Sequence, residues 1–163
     1  MALDINKMYE RAQAAFKEIE YWPQDKVDEM VNAAGRAWSK EENAMAMARL
    51  AVDESSIGVY EDKVAKIQSK TRGSLWQMRD VKTCGLVEED KEKGLKKYAK
   101  PIGVIANIVP CTNPESTVTV LGVNILKTRN AMIVSPHPRT KGSTNLAVKI
   151  GRDALKKIGA PPD

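Results

Sequence analysis

Val104-Ile105-Ala106-Asn107-Ile108-Val109 runs into Pro110-Cys111-Thr112-Asn113-Pro114, an apolar run followed by two prolines. The first six residues form an apolar, β-branched run of the kind found in a buried strand. Pro110 and Pro114 lack N–H donors, and Asn113, which precedes a proline, is biased away from the αR region, so the strand stops and a turn begins. From Glu115 to Lys127, the residues Val118, Leu121, Gly122 and Ile125 recur at i, i+3, i+4 and i+7, which predicts a helix with one buried face. Ala131-Met132-Ile133-Val134 reads as a second short buried strand, closed by Ser135-Pro136-His137-Pro138.

Two strands joined by a helix of this length are expected to lie parallel, with a right-handed crossover. Both carboxyl ends then meet one edge of the sheet, where open α/β sheets bind ligands. Pro110 to Ser116 and Ser135 to Gly142 should therefore line one crevice.

Working outward, Gly142 to Ile158 reads as a closing helix with Leu146, Ala147, Ile150, Ala154, Leu155 and Ile158 inward. Gly159 is placed as its C-terminal cap, with Pro161 and Pro162 beyond. No third strand follows, so the two-stranded sheet is expected to keep unpaired edges. On the other side, helical spacing predicts four helices before the first strand. Met8, Tyr9, Ala12, Ala15, Phe16 and Ile19 share the face of the first, which reads as part of the domain rather than as a docking peptide. Val27, Met30, Val31, Ala34 and Trp38 mark the second, entered at Pro23. Ser39-Lys40-Glu41-Glu42 reads as a capping box opening the third, over Ala44 to Val52. Val64, Ile67, Thr71, Leu75 and Met78 mark the fourth, with Gly73 as its weak point. The polar run centred on Glu88 to Gly94 reads as the loop of a hairpin or extended arm.

The 163 residues, 42% hydrophobic and 29% charged, suit a soluble globular chain. The net charge of +5 includes a cluster at Lys91, Lys93, Lys96, Lys97 and Lys100. No aromatics interleave it, so it reads as a solvated hairpin face and not as a nucleic-acid track. Two cysteines and one histidine are too few for a structural zinc site, and the cysteine usage suits a reducing cytoplasm. No apolar run approaches the ~18 residues of a membrane span, so neither membrane nor nucleic acid is an expected partner.

The motifs Val52-Asp53-Glu54-Ser55, Glu61-Asp62-Lys63-Val64 and Lys82-Thr83-Cys84-Gly85 belong with Pro101-Ile102-Gly103-Val104-Ile105, Ile108-Val109-Pro110 and Thr112-Asn113-Pro114. Leu126-Lys127-Thr128-Arg129-Asn130-Ala131 and Ser135-Pro136-His137-Pro138-Arg139 complete the set. Together they resemble the CoA-acylating branch of the aldehyde dehydrogenase superfamily, above all the aldehyde dehydrogenase half of bifunctional aldehyde-alcohol dehydrogenases. The resemblance implies an α/β, aldehyde dehydrogenase-like fold: an incomplete Rossmann-type parallel sheet preceded by a helical segment. It implies residues 1–80 as the helical part of the cofactor domain, 81–100 as a hairpin or arm serving oligomerisation, and 101–163 as the βαβα part of the NAD-binding domain.

The implied reaction converts a small aldehyde, coenzyme A and NAD to acyl-CoA and NADH, in a homo-oligomer. In such enzymes the attacking cysteine lies well downstream, beyond the last residue here, so this chain alone is expected to be inactive. Cys111 matches no family role and reads as packing. Asn113 is the candidate oxyanion donor, with Thr112 the alternative, because the wider superfamily carries its asparagine one residue earlier between the flanking prolines. Pro110, Ser135, Pro136, His137, Pro138 and Arg139 are the candidate cofactor-binding residues, and no metal ligand is expected. The alternative function is a non-catalytic nucleotide-binding or assembly module derived from that family.

Overall fold

Strands β3 (Val104–Ile108) and β4 (Ala131–Ser135), joined by helix α5 (Pro114–Lys127), run parallel and in register from Val104 opposite Ala131 to Ile108 opposite Ser135. The structure is a computed structural model describing residues 4–163. Before this unit come α1 (Ile5–Ile19), α2 (Gln24–Ser39), α3 (Glu41–Ser55), α4 (Tyr60–Met78) and an antiparallel hairpin of β1 (Gly85–Asp90) and β2 (Leu95–Ala99). After it come a 3-10 turn at Pro138–Thr140 and helix α6 (Lys141–Lys157).

The alternation of β4 sorts its neighbours. Ala131 and Ile133 pack with Val104 against Ala12 and Phe16 of α1. Met132 and Val134 join the core built by Met47, Ala48, Ile67, Val118 and Ala147. The sheet is thus covered from both sides, as its apolar strands require. Of its two strands, neither has a second hydrogen-bonded neighbour among the described residues.

Trp38 knits the helical layer together. Its Nε1 donates to the Ala147 carbonyl at 2.8 Å, and its ring lies against Gly122 of α5 and Gly151 of α6. A Cβ on those glycines would stand 2.5 and 2.6 Å from ring carbons, so only glycine admits the indole between the two helices.

The motif Lys127-Thr128-Arg129-Asn130 works as a bracket. Lys127, almost fully buried, reaches Asp28 at 2.5 Å, and its carbonyl accepts from Thr83 Oγ1 at 2.6 Å. The Arg129 guanidinium donates to three carbonyls, those of Glu20, Thr83 and Ala99. Asn130 Oδ1 accepts from the backbone N–H of Ile102 and of Gly103. Four chain segments are therefore tied to the turn before β4, which is a structural reason for polar residues in a buried place.

Several expectations need correcting. Ser39 ends α2 and its hydroxyl turns back to the Arg36 carbonyl, so no capping box forms; Lys40 is the N-cap of α3. Pro23 is the N-cap of α2 and not its first helical residue. Glu88 to Asp90 belong to β1, paired with Lys97 to Leu95 across a turn at 91–94, because cross-strand charge pairs make an acidic strand and a basic one compatible. Tyr9, Leu121 and Ile158 are exposed. Helix α4 buries Lys63, Ile67, Thr71 and Ser74: of the expected stripe Ile67 and Thr71 are buried, while Val64, Leu75 and Met78 are half-buried, and Gly73 faces open space. The hydrogen bond from Thr71 to Thr119 of α5 at 2.8 Å, with the ion pair of Lys63 and Glu115, makes that polar stripe a packing surface.

Candidate functional site

The pairing of Ile108 with Ser135, extended by the Val109 N–H donating to the Ser135 carbonyl at 2.9 Å, brings the two loops after β3 and β4 out side by side. On the first loop Pro110, Thr112 and Asn113 are exposed, while Cys111 is a half-buried free thiol. Pro114 then takes the first helical position of α5, where its missing N–H costs nothing. On the second loop Ser135, Pro138 and Arg139 are exposed, and Pro136 and His137 half-buried.

The second loop is largely self-braced. His137 Nδ1 accepts from the Arg139 N–H at 3.2 Å and so caps the 3-10 turn. The Arg139 guanidinium donates to the Ser55 carbonyl at 2.5 Å, at the end of α3. One helical turn further in, Glu54 fills the N-terminus of α6: its carboxylate accepts from the Gly142 N–H at 2.6 Å and from the Ser143 N–H and hydroxyl, both at 2.9 Å. The helix end that would ordinarily offer its N–H groups to a phosphate is already satisfied by a protein carboxylate.

The first loop stands over a charged cluster that sequence reasoning missed. Glu115, the second residue of α5, is fully buried. Lys63 and Lys66, three residues apart on one face of α4, bring their ammonium groups to 3.9 and 3.8 Å from its Oε1. Lys63 also donates to the Thr112 carbonyl at 3.0 Å, and Lys66 to Asn113 Oδ1 at 2.5 Å. Ser116 Oγ sits 3.4 Å from Glu115 Oε1, while Oε2 is buried without a protein partner. The α5 N-terminus favours a carboxylate at this position. Burial pushes the Lys66 ammonium below its ordinary value and the neighbouring Lys63 adds to this, while Glu115 opposes the shift. The signal was present in the sequence as lysines spaced i, i+3 and an acidic residue directly after Pro114. Joining them required knowing that α4 packs on α5.

Among the described residues no group of histidine, cysteine and carboxylate side chains is placed to hold a metal ion. No helix is long and apolar enough to cross a membrane. A wider groove of about 630 Å³ runs between α1, α6 and β4, past Met132, Val134, Leu155 and Trp38, and none of the crevice-loop residues lines it.

A parallel strand pair whose loops open at one edge, covered by helices on both sides, defines the chain as part of an α/β domain. Residues 1–163 match the profile of the aldehyde dehydrogenase family, and the chain belongs to that family. It is 43% identical over 153 residues to the sulfoacetaldehyde dehydrogenase of Acholeplasma sp, a match covering 94% of this chain and 32% of that protein. It is 41% identical over 160 residues to the bifunctional aldehyde-alcohol dehydrogenase AdhE of Escherichia coli (strain K12), covering 98% of this chain and 18% of that one. Among solved structures, an acetylating aldehyde dehydrogenase from Geobacillus thermoglucosidasius superposes with a TM-score of 0.92 at 35% identity, over 96% of this chain and 34% of that chain. A propionaldehyde dehydrogenase from Rhodopseudomonas palustris, solved with bound propionyl-CoA, superposes with a TM-score of 0.82 at 25% identity over 96% and 34%. The chain thus spans about a third, or less, of the length of these relatives.

Proposed function

We propose that this chain forms the first part of the coenzyme-binding domain of an NAD-dependent, CoA-acylating aldehyde dehydrogenase, acting on a small aldehyde in the cytoplasm. The activities of its relatives and their superposition support the reaction class. In this reading residues 1–80 are the helical part of that domain, 101–163 its βαβα part, and 81–100 an arm that joins subunits of a homo-oligomer. Leu95 and Tyr98, both exposed on the hairpin, favour the arm's role.

The observation that carries the site is the position of Asn113. It stands at the carboxyl end of β3 as N-cap of α5, yet its side chain makes no capping hydrogen bond to the helix. Its oxygen is given to Lys66, and its Nδ2 makes only a long hydrogen bond, 3.5 Å to Thr112 Oγ1, which leaves a second hydrogen as a donor on an exposed loop. A donor held there suits the oxygen of an aldehyde under attack by a thiolate, where negative charge develops. Thr112, whose Oγ1 lies 3.5 Å from Asn113 Nδ2, is the alternative donor.

NAD supplies the hydride acceptor when bound, and coenzyme A takes the acyl group. The residues fit the dinucleotide in one respect and oppose it in another. Ser135, Pro136, His137 and Pro138, with Pro110 beside them, offer a rigid edge for an adenosine. Glu54 on the α6 N-terminus would repel a diphosphate placed there. Arg139, exposed and anchored through one nitrogen to Ser55, keeps N–H groups for a phosphate of NAD or coenzyme A.

The test is a chimera in which residues 1–163 replace the corresponding third of the Geobacillus thermoglucosidasius enzyme. Aldehyde- and CoA-dependent reduction of NAD is expected from the chimera and none from the chain alone. A folded chimera without turnover, or turnover by the chain alone that Cys111→Ala abolishes, overturns the reading.

A further inference from the structure

The cluster beneath Asn113 has a geometry that ordinary charge pairing does not require. Lys66 lies as near Glu115 as Lys63 does, at 3.8 against 3.9 Å, and where Lys63 donates to the Thr112 carbonyl, Lys66 donates to the side-chain oxygen of Asn113. An ammonium has hydrogens and no acceptor, so the atom it meets must be Oδ1, and the amide's orientation is decided by chemistry. The Nδ2 group is consequently the end turned away from the lysine. Pro114 has no N–H, so the cap bond open to the Asn113 oxygen is one from Glu115 or Ser116, and taking it would turn the donor end of the amide.

We propose that Lys66 is a positioning residue for Asn113: by occupying Oδ1 it prevents the side chain from capping α5 and holds the Nδ2 donors toward the crevice. This rests on the reading of Asn113 as the oxyanion donor. Glu115 is the counter-charge that lets an ammonium stay at a partly buried place. Lys63, held by the Thr112 carbonyl, fixes the preceding residue and leaves Lys66 to Asn113. A donor arranged in advance needs no reorientation when charge develops on the substrate oxygen, which is the source of its catalytic value.

The experiment is nuclear magnetic resonance on the isotope-labelled 163-residue chain, with the Asn113 side-chain amide pair identified by its disappearance in Asn113→Ala. In the unsubstituted chain we expect single-rotamer couplings for Asn113 and Overhauser contacts between its β-methylene and the Lys66 ε-methylene. Averaged couplings or absent contacts there overturn the proposal, whether or not any variant folds. In Lys66→Met the Asn113 amide signals should shift and the rotamer should change or average, while Lys66→Arg restores the original pattern. A folded Lys66→Met chain with an unmoved Asn113 amide shows that the lysine only balances Glu115, and ends the proposal. These outcomes do not depend on turnover, so a failure of the oxyanion role of Asn113 in an active enzyme is a separate result.

Discussion

Both carboxylate oxygens of Glu54 are bound at Ser143 and its neighbour: Oε2 accepts from the Ser143 N–H and hydroxyl at 2.9 Å, and Oε1 from the adjoining Gly142 N–H. A residue from the last turn of α3 therefore caps α6 across a separation of 89 positions. Replacing it by alanine leaves these donors unsatisfied and removes a favourable charge from the helix end, at a cost of about 1–2 kcal/mol. Urea denaturation should show this loss in Glu54→Ala, with Glu54→Gln intermediate. An Ala variant as stable as the parent would mean that water replaces the carboxylate without loss.

The contact of Trp38 with Gly122 and Gly151 leads to a second expectation. A single methyl group at either glycine overlaps the indole, and the fold must move a helix or the ring, at about 1–3 kcal/mol. Gly73, which faces open space on α4, is the control: Gly73→Ala should stabilise by up to about 1 kcal/mol through helix propensity. Thermal melts of the three alanine variants distinguish these signs.

The pH dependence of stability follows from Lys66 and Asp163. Burial holds the Lys66 ammonium below its ordinary value of 10.5, against Glu115 and with Lys63 as the like-charged neighbour. In the window below 10.5 the unfolded chain binds a proton that the folded chain has lost, so this group makes stability rise with pH there. Lys66→Met should remove the rise. At the acid end the hydrogen bond from Arg11, helped by Arg152, holds Asp163 below its ordinary value of 3.8. That contribution is complete above 3.8 and is lost as pH falls through the lower, folded value. Denaturation curves of Asp163→Asn should be flatter on the acid side.

The groove beside β4 and the unpaired strand edges expose apolar surface, so the 163-residue chain should bind a dye such as ANS or self-associate. Dye titration with light scattering checks this. A monomer that binds no dye would show that the groove closes in solution.

The βαβ unit was legible because each of its signals is local: a β-branched run, two prolines, a 3.6-residue period and a second apolar run. The helices were legible for the same reason, Trp38 and Val27 included. What escaped was set by partners distant in sequence. Lys63 stood in the sequence only as part of a family motif, and its burial appears when α4 is laid on α5. Glu54, quoted as part of a family motif, acquires its task only when α3 meets α6. Lys127, Arg129 and Asn130 read as a motif without a reason, and each turns out to bracket backbone groups. At the proposed site, Asn113 was singled out from its place after a strand, while Lys66, which donates to it, lies 47 positions earlier and was not.

In the proposed reaction Asn113 donates to the developing oxyanion. The measurement closest to it is steady-state turnover of the Geobacillus chimera carrying Asn113→Ala. We expect a fall in kcat of about 10² or more with the KM for aldehyde changed only slightly, because the lost interaction is made in the transition state and not with bound substrate. Near-normal kcat in a folded Asn113→Ala chimera would contradict it and transfer the role to Thr112 or a backbone N–H.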